Sequence, residues 1–161
     1  MKGANVKVSN RHGNTALIMT SQGPNPKLAE LLLESGSIID ATNIIGNTAL
    51  IYAAHNGHFE VVELLIRKGS NVNALNHQGN TPLMYGAYNG HISVVKYLME
   101  KGNASIDLVD FDKRTALMWA TIRGHEEVVT YLLTRKANIN LMDCLGNTAL
   151  DWAKSYATGK Y

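Results

Sequence analysis

One pentapeptide, written five times, constrains this chain more than any other feature. "GNTAL" stands at 13–17, 46–50 and 146–150, with "GNTPL" at 79–83 and "KRTAL" at 113–117. Successive copies begin 33, 33, 34 and 33 residues apart. A fixed period of this size marks a stack of small units. Each is one supersecondary element that cannot bury its apolar face alone and buries it against its neighbours. With 45% hydrophobic and 17% charged residues, the chain has enough apolar material for a continuous core.

Residues 43–75, "NIIGNTALIYAAHNGHFEVVELLIRKGSNVNAL", show what one unit builds. Thr48 is a strong helix N-cap, and in the third copy Thr81 is followed by Pro82, which suits a first helical position. Leu50, Ala53 and Ala54 fall at helical spacing, and the small alanines let neighbouring helices approach closely. "NG" at 56–57 breaks this helix. A second helix carries Val61, Val62, Leu64 and Leu65 and stops at Gly69. "SNVNALNHQG" then runs out and turns at Gly79, as a β-turn or short hairpin projecting from the stack.

The pattern G-x-T-P-L-x-x-x-A-x-x-G-H-x-x-V-V-x-x-L is carried best by "GNTPLMYGAYNGHISVVKYLMEKG" at 79–102, and it resembles the ankyrin repeat. The resemblance implies an all-α solenoid of stacked helix-turn-helix units with projecting turns, one domain over residues 1–161. Full repeats fall at 10–42, 43–75, 76–109 and 110–142, with a partial repeat at 143–161. Residues 1–9 form the tail of a preceding repeat, because "KGANVKVSN" at 2–10 aligns with "KGSNVNALN" at 68–76. At the other end "GKY" stands where a second helix should begin. The expectation is an array cut from a longer one; degenerate caps are the alternative.

The chain departs from the family pattern at several places. Where the family has a His after the Thr, this chain has Ile18, Ile51, Met84, Met118 and Asp151. The apolar four suggest tighter packing, and Asp151 suggests a capping pair with Thr148. In repeat one, "SQGPNPKL" at 21–28 brings Pro24 and Pro26 into a stiffer connection between helices. Repeat three has one extra residue near "GNASID" at 102–107, and Lys113 replaces the turn glycine, so the turn between the third and fourth repeats should be shaped differently. Lys136 stands where Gly3, Gly36, Gly69 and Gly102 close second helices, so it should have positive φ.

No apolar run approaches the ~18 residues of a membrane span, and "MKGANVKVSN" has no apolar signal core. A net charge of +2 argues against nucleic acid or a membrane surface as partner. Cys144 is the single cysteine, which excludes an internal disulfide and points to a reducing compartment, cytoplasmic or nuclear. No base is evident to activate Cys144, no serine sits in a nucleophile elbow, and "ATGKY" lacks a phosphate loop's upstream glycine. No catalytic residue and no cofactor is expected. His58, His91 and His125 each follow a glycine, a place the family uses structurally, and they lack partners at metal-ligand spacing.

Binding is the remaining class of function. The resemblance implies that partners meet the projecting turns and the exposed side of each first helix, which line a concave face. By register the turn positions are Arg11, His12 and Asn14; Ile44, Ile45 and Asn47; His77, Gln78 and Asn80; Phe111, Asp112 and Arg114; and Cys144, Leu145 and Asn147. The helix positions are Gln22, Gly23, His55, Asn56, Tyr88, Asn89, Ile122 and Arg123. Ile44, Ile45, Phe111 and Leu145 are apolar at sites that solvent disfavours, so they either form a contact surface or cover one another. Met19, Tyr52, Tyr85, Trp119 and Trp152 form a column, one per repeat, read as packing whose ring edges reach the concave face. The expected function is a non-catalytic protein–protein interaction module, a scaffold, adaptor or targeting domain. The alternative is a substrate-positioning or regulatory ankyrin domain of a larger enzyme. Asn73 and Asn140, each eight residues after a Leu, resemble the asparagine hydroxylated in some animal ankyrin repeats.

Overall fold

Each repeated threonine starts a helix. In the computed structural model, which describes residues 5–6 and 8–158, Thr15, Thr48, Thr81 and Thr115 have extended backbones. Their hydroxyls accept the N–H groups of Ile18, Ile51, Met84 and Met118 at 3.1–3.3 Å. The helices that follow are α1 (Ala16–Ser21), α3 (Ala49–Asn56), α5 (Pro82–Tyr88), α7 (Ala116–Ile122) and α9 (Ala149–Thr158). Thr148 and Asp151 form the expected pair: Thr148 N–H donates to Asp151 Oδ2 at 3.0 Å, and Asp151 N–H donates to Thr148 Oγ1 at 3.3 Å. A left-handed glycine (Gly57, Gly90, Gly124) reverses the chain after α3, α5 and α7. Second helices follow: α2 (Pro26–Glu34), α4 (Phe59–Arg67), α6 (Ile92–Glu100) and α8 (Glu126–Thr134). In repeat one, the Pro-rich connection supplies its own cap, with Asn25 Oδ1 accepting Leu28 N–H at 3.0 Å and Pro26 opening α2.

First helices pack on first helices, α1 to α3 to α5 to α7 to α9, and second helices form a parallel outer row. Between the rows lies one core. Leu17, Leu50, Leu83 and Leu117 are buried there, as are Val61, Val94 and Val128 from the outer row. Burying each such side chain contributes roughly 1.5–3 kcal/mol. Ile18, Ile51, Met84 and Met118 are also buried, so the apolar residues in the family's His position do serve packing. The fifth copy differs: Leu150 is 61% exposed, because no outer helix closes its repeat among the described residues. "GKY" at its end, and Gly3 at the other, lie outside the described residues.

Lys136 has φ 64°, as its register position requires. The turn between the third and fourth repeats is not shaped differently, contrary to expectation: Lys113 takes the glycine conformation at φ 61°, and the bonds from Asp110 N–H to Arg114 O and from Lys113 N–H to Asp110 O, at 3.0 and 2.9 Å, repeat those of the other turns. Repeat three needs a correction. Its left-handed residue is Asn103, at φ 54°, and not Gly102. The extra residue moves the helix end by one: Lys101 and Gly102 N–H both reach Tyr97 O, and Ala104 N–H reaches Leu98 O at 3.0 Å. Asparagine tolerates this conformation better than most residues. Gly102 is needed for space instead, since a Cβ there would lie 2.7 Å from Leu98 O. The projecting segments are β-turns; among the described residues the only strand-like pairing is a single bridge between Ser9 and Thr15.

Candidate binding surface

Every turn opens with Asn or Asp: Asn10, Asn43, Asn76, Asp110 and Asp143. The first side-chain oxygen accepts the backbone N–H four residues on, at 2.8–3.1 Å in all five turns. In the turns of Asn10, Asn43, Asn76 and Asp143 the same oxygen also accepts the N–H two residues on, at 2.9–3.1 Å, which makes the Asx turn that these residues favour. A left-handed residue follows (Gly13, Gly46, Gly79, Lys113 or Gly146). Neighbouring turns are joined by one backbone hydrogen bond each: Ile44, His77, Phe111 and Cys144 donate to the carbonyls of His12, Ile45, Gln78 and Asp112 at 2.8–3.2 Å. The stacked turns thus make a continuous strip. They do not cover their apolar tips: Ile44 is 61% exposed, Ile45 50%, Phe111 74% and Leu145 70%.

The second side-chain atom of each turn residue meets the column residue nine positions on, and the polarity always matches. Asn43 Nδ2 donates to Tyr52 Oη at 3.0 Å and Asn76 Nδ2 to Tyr85 Oη at 3.1 Å. Where the ring is an indole, which can only donate, the turn residue is a carboxylate. Trp119 Nε1 donates to Asp110 Oδ2 at 3.0 Å and Trp152 Nε1 to Asp143 Oδ2 at 2.9 Å. Asn43 and Asn76 also donate to Asn14 and Asn47 of the preceding turn, at 2.8 and 2.9 Å. The aromatic column is therefore fastened to the turns, as packing residues should be. For Asp143, burial alone raises the carboxyl pKa. The hydrogen bonds from Asn147 N–H, Leu145 N–H and Trp152 outweigh burial and hold it below the ordinary carboxylate value.

Between the turns and the first helices of repeats two to four lies a concave groove of about 580 Å³. Its lining includes Tyr85, Tyr88, Trp119, Phe111, Arg114, His55, His77 and Asp112. The rings brace one another: His55 stands edge-on to Tyr85 at 5.2 Å and Tyr88 to Trp119 at 5.3 Å between centroids. Arg114 Cζ lies 4.9 Å from the Trp119 centroid and Arg123 Cζ 4.7 Å from that of Tyr88. Burial, and then the nearby charge of His91, push the His55 pKa down.

Of the residues expected on the concave face, the groove gathers His55, His77, Gln78, Tyr88, Phe111, Asp112 and Arg114, with Arg123 against Tyr88. Asn89 has a different job: its Nδ2 holds the carbonyl of His55 at 3.0 Å. Asn56 Nδ2 reaches Gln22 O at 3.4 Å, and Ile122 is half-buried. Arg11, His12, Ile44, Ile45 and Leu145 belong to turns but not to the groove lining. Asn80 lines it from a turn position expected on this face, Met84 and Asp110 line it without having been expected there, and Tyr85 and Trp119 line it as well as packing. The once-per-repeat aromatic beside a turn was the available signal for the last two.

The glycine-following histidines are structural. His58, His91 and His125 Nε2 lie 2.9–3.0 Å from the carbonyls of Gln22, His55 and Tyr88 in the preceding repeat. Among the described residues no group of His, Cys, Asp and Glu is arranged to hold a metal ion. Cys144 is a free, exposed thiol. Asn73 Oδ1 accepts Ser105 N–H at 2.9 Å, so its carboxamide joins two repeats.

The architecture defines a helix-pair repeat protein with a ligand-sized concave groove. The ankyrin-repeat family model matches residues 1–76, 17–110 and 103–160, and the chain belongs to the ankyrin-repeat family. Ankyrin repeats are generally protein–protein interaction modules and are typically non-catalytic. No curated protein matches the chain. Among the described residues no helix is long and apolar enough to cross a membrane.

Proposed function

We propose that the concave face of repeats two to four is a protein-recognition surface, and that the chain works without catalysis as a scaffold, adaptor or targeting module. The observation that carries this reading is the aromatic groove of Tyr85, Tyr88, Phe111 and Trp119, with Arg114 stacked on Trp119. Aromatic and arginine side chains concentrate interface energy. Tyr85 and Trp119 are held by Asn76 and Asp110 before any partner arrives, so little ordering cost remains. The partner is another protein, bound without a cofactor; the net charge of +2 favours neither nucleic acid nor membrane. An exposed lone thiol at Cys144 suits a reducing compartment, the cytoplasm or nucleus.

The test uses the intact chain as bait in a cell extract, beside a variant carrying Tyr88→Ala and Phe111→Glu. A partner captured by the parent should bind the variant at least tenfold more weakly, or ~1.4 kcal/mol, with unchanged circular dichroism. Equal affinity for both baits would remove the groove from the interface.

A further inference from the structure

We infer that the groove takes an extended acidic peptide, with an apolar side chain seated against Tyr85, Tyr88 and Trp119 and flanking carboxylates on Arg114 and Arg123. This rests on the concave face being a protein-recognition surface and names the chemistry of its partner. An aromatic groove by itself attracts cations. Here that role is already taken. The Trp119 ring faces the Arg114 guanidinium, with Cζ 4.9 Å from the centroid, and Tyr88 faces Arg123 at 4.7 Å. A second cation entering the groove meets two fixed positive charges.

The fixed anions are less available than the cations. Asp110 is buried, and both its oxygens are engaged, by Arg114 N–H at 2.8 Å and Trp119 Nε1–H at 3.0 Å. Asp112 is shared with Arg114, whose Nη1 lies 3.4 Å from Asp112 Oδ2. Arg123 and Lys113 are exposed and add positive charge around the opening. The potential an incoming peptide meets is positive, which steers and retains negative side chains.

Arg114 also carries a deficit. Its Nη1 turns to Asp112, while its Nε is buried with no hydrogen-bond partner. Buried donors are nearly always paired in folded proteins. Guanidinium groups bind carboxylates through parallel N–H···O bonds. A carboxylate laid against Arg114 meets the part of the side chain that stays accessible, 21% of it, and not the buried Nε.

The experiment pans a phage-displayed library of random dodecapeptides against the immobilised intact chain at low salt. Synthetic copies of the enriched peptides are then titrated by fluorescence polarisation. The expected winners carry Asp or Glu on both sides of an apolar residue. Their affinity should fall at least tenfold in R114Q/R123Q and weaken with added salt. Arg123 is exposed and is stacked on the Tyr88 ring, so R123Q reads the loss of its charge at the groove even where R114Q disturbs folding. Basic or charge-neutral winners that need Tyr88 but bind R114Q/R123Q as tightly as the parent overturn the acidic partner and leave the concave-face reading standing. No enrichment, or peptides that bind Tyr88→Ala unchanged, overturn both.

Discussion

Asp110→Asn changes one oxygen to an amide nitrogen and should still destabilise the fourth repeat. In the native turn Asp110 Oδ1 accepts Arg114 N–H at 2.8 Å, and an asparagine keeps that bond. Oδ2 accepts Trp119 Nε1–H at 3.0 Å. In the variant an NH₂ faces an N–H, and neither can accept. The bond lost is one to a charged acceptor, ~1.5–3 kcal/mol. Part returns, because Asn80 occupies the place from which Asn14 and Asn47 accept Asn43 and Asn76. The net loss should be ~1–2 kcal/mol, measured as the urea midpoint by circular dichroism. The decisive arm adds Trp119→Tyr, which recreates the Asn–Tyr pairing found at 43 and 52 and at 76 and 85. Tyrosine at 119 also loses indole contacts with Tyr88 and Arg114. The comparison must therefore be a double-mutant cycle, with a favourable coupling of ~1 kcal/mol or more. A coupling near zero, or Asp110→Asn as stable as the parent, would refute the matched-polarity argument.

Lys136→Gly should raise stability by up to ~1 kcal/mol, because Lys136 is exposed and held at φ 64°; a lower urea midpoint with unchanged slope would contradict this. Gly57→Ala should cost ~1–3 kcal/mol more than Gly36→Ala. Both positions are left-handed, but a Cβ at Gly57 lies 2.6 Å from His91 Nδ1, whereas one at Gly36 meets nothing within 4 Å, so equal midpoints would discount the histidine contact. For Asp143, whose folded pKa is depressed, the associated stability is present above the unfolded carboxyl value of ~4 and is lost as pH falls through the lower folded value. The stability gap between the parent and Asp143→Asn should accordingly narrow below about pH 4, and a gap that holds constant into acid would contradict the linkage.

What recurs in this chain was legible from its sequence, because each repeat is a reference for the others. The threonine caps, the glycine-following histidines and the positive φ of Lys136 all follow from register. The insertion in repeat three was not legible in the same way. Gly102 and Asn103 are both acceptable left-handed residues, and which one takes that role follows from where the second helix ends, with Lys101 and Gly102 N–H on Tyr97 O and Ala104 N–H on Leu98 O. The Asn–Tyr and Asp–Trp pairs were visible as letters nine apart, but their meaning needs the turn folded back onto the helix. The groove depended on contacts between repeats, such as Tyr88 on Trp119, that no single repeat contains.

The groove lies where the repeats give up regularity. At the junction of the third and fourth turns the ladder of asparagines stops, because Asp110 has no donor to offer Asn80. Arg114 stands where the other turns have Asn14, Asn47, Asn80 and Asn147. Lys113 holds a left-handed backbone that four glycines hold elsewhere, at a cost of ~1 kcal/mol. Lys113 carries backbone strain and the contact to Asn80 is lost, and neither is forced by the fold, since the second and third turns keep their glycine and their asparagine contact. What the junction has in return is Phe111 at the tip, Arg114 over Trp119 and an unpaired guanidinium nitrogen, all at one groove. Strain and broken local rules collect at functional sites because selection there acts on something other than stability. That is the physical reason for seeking the partner at this junction rather than along the regular turns around Ile44 and Ile45.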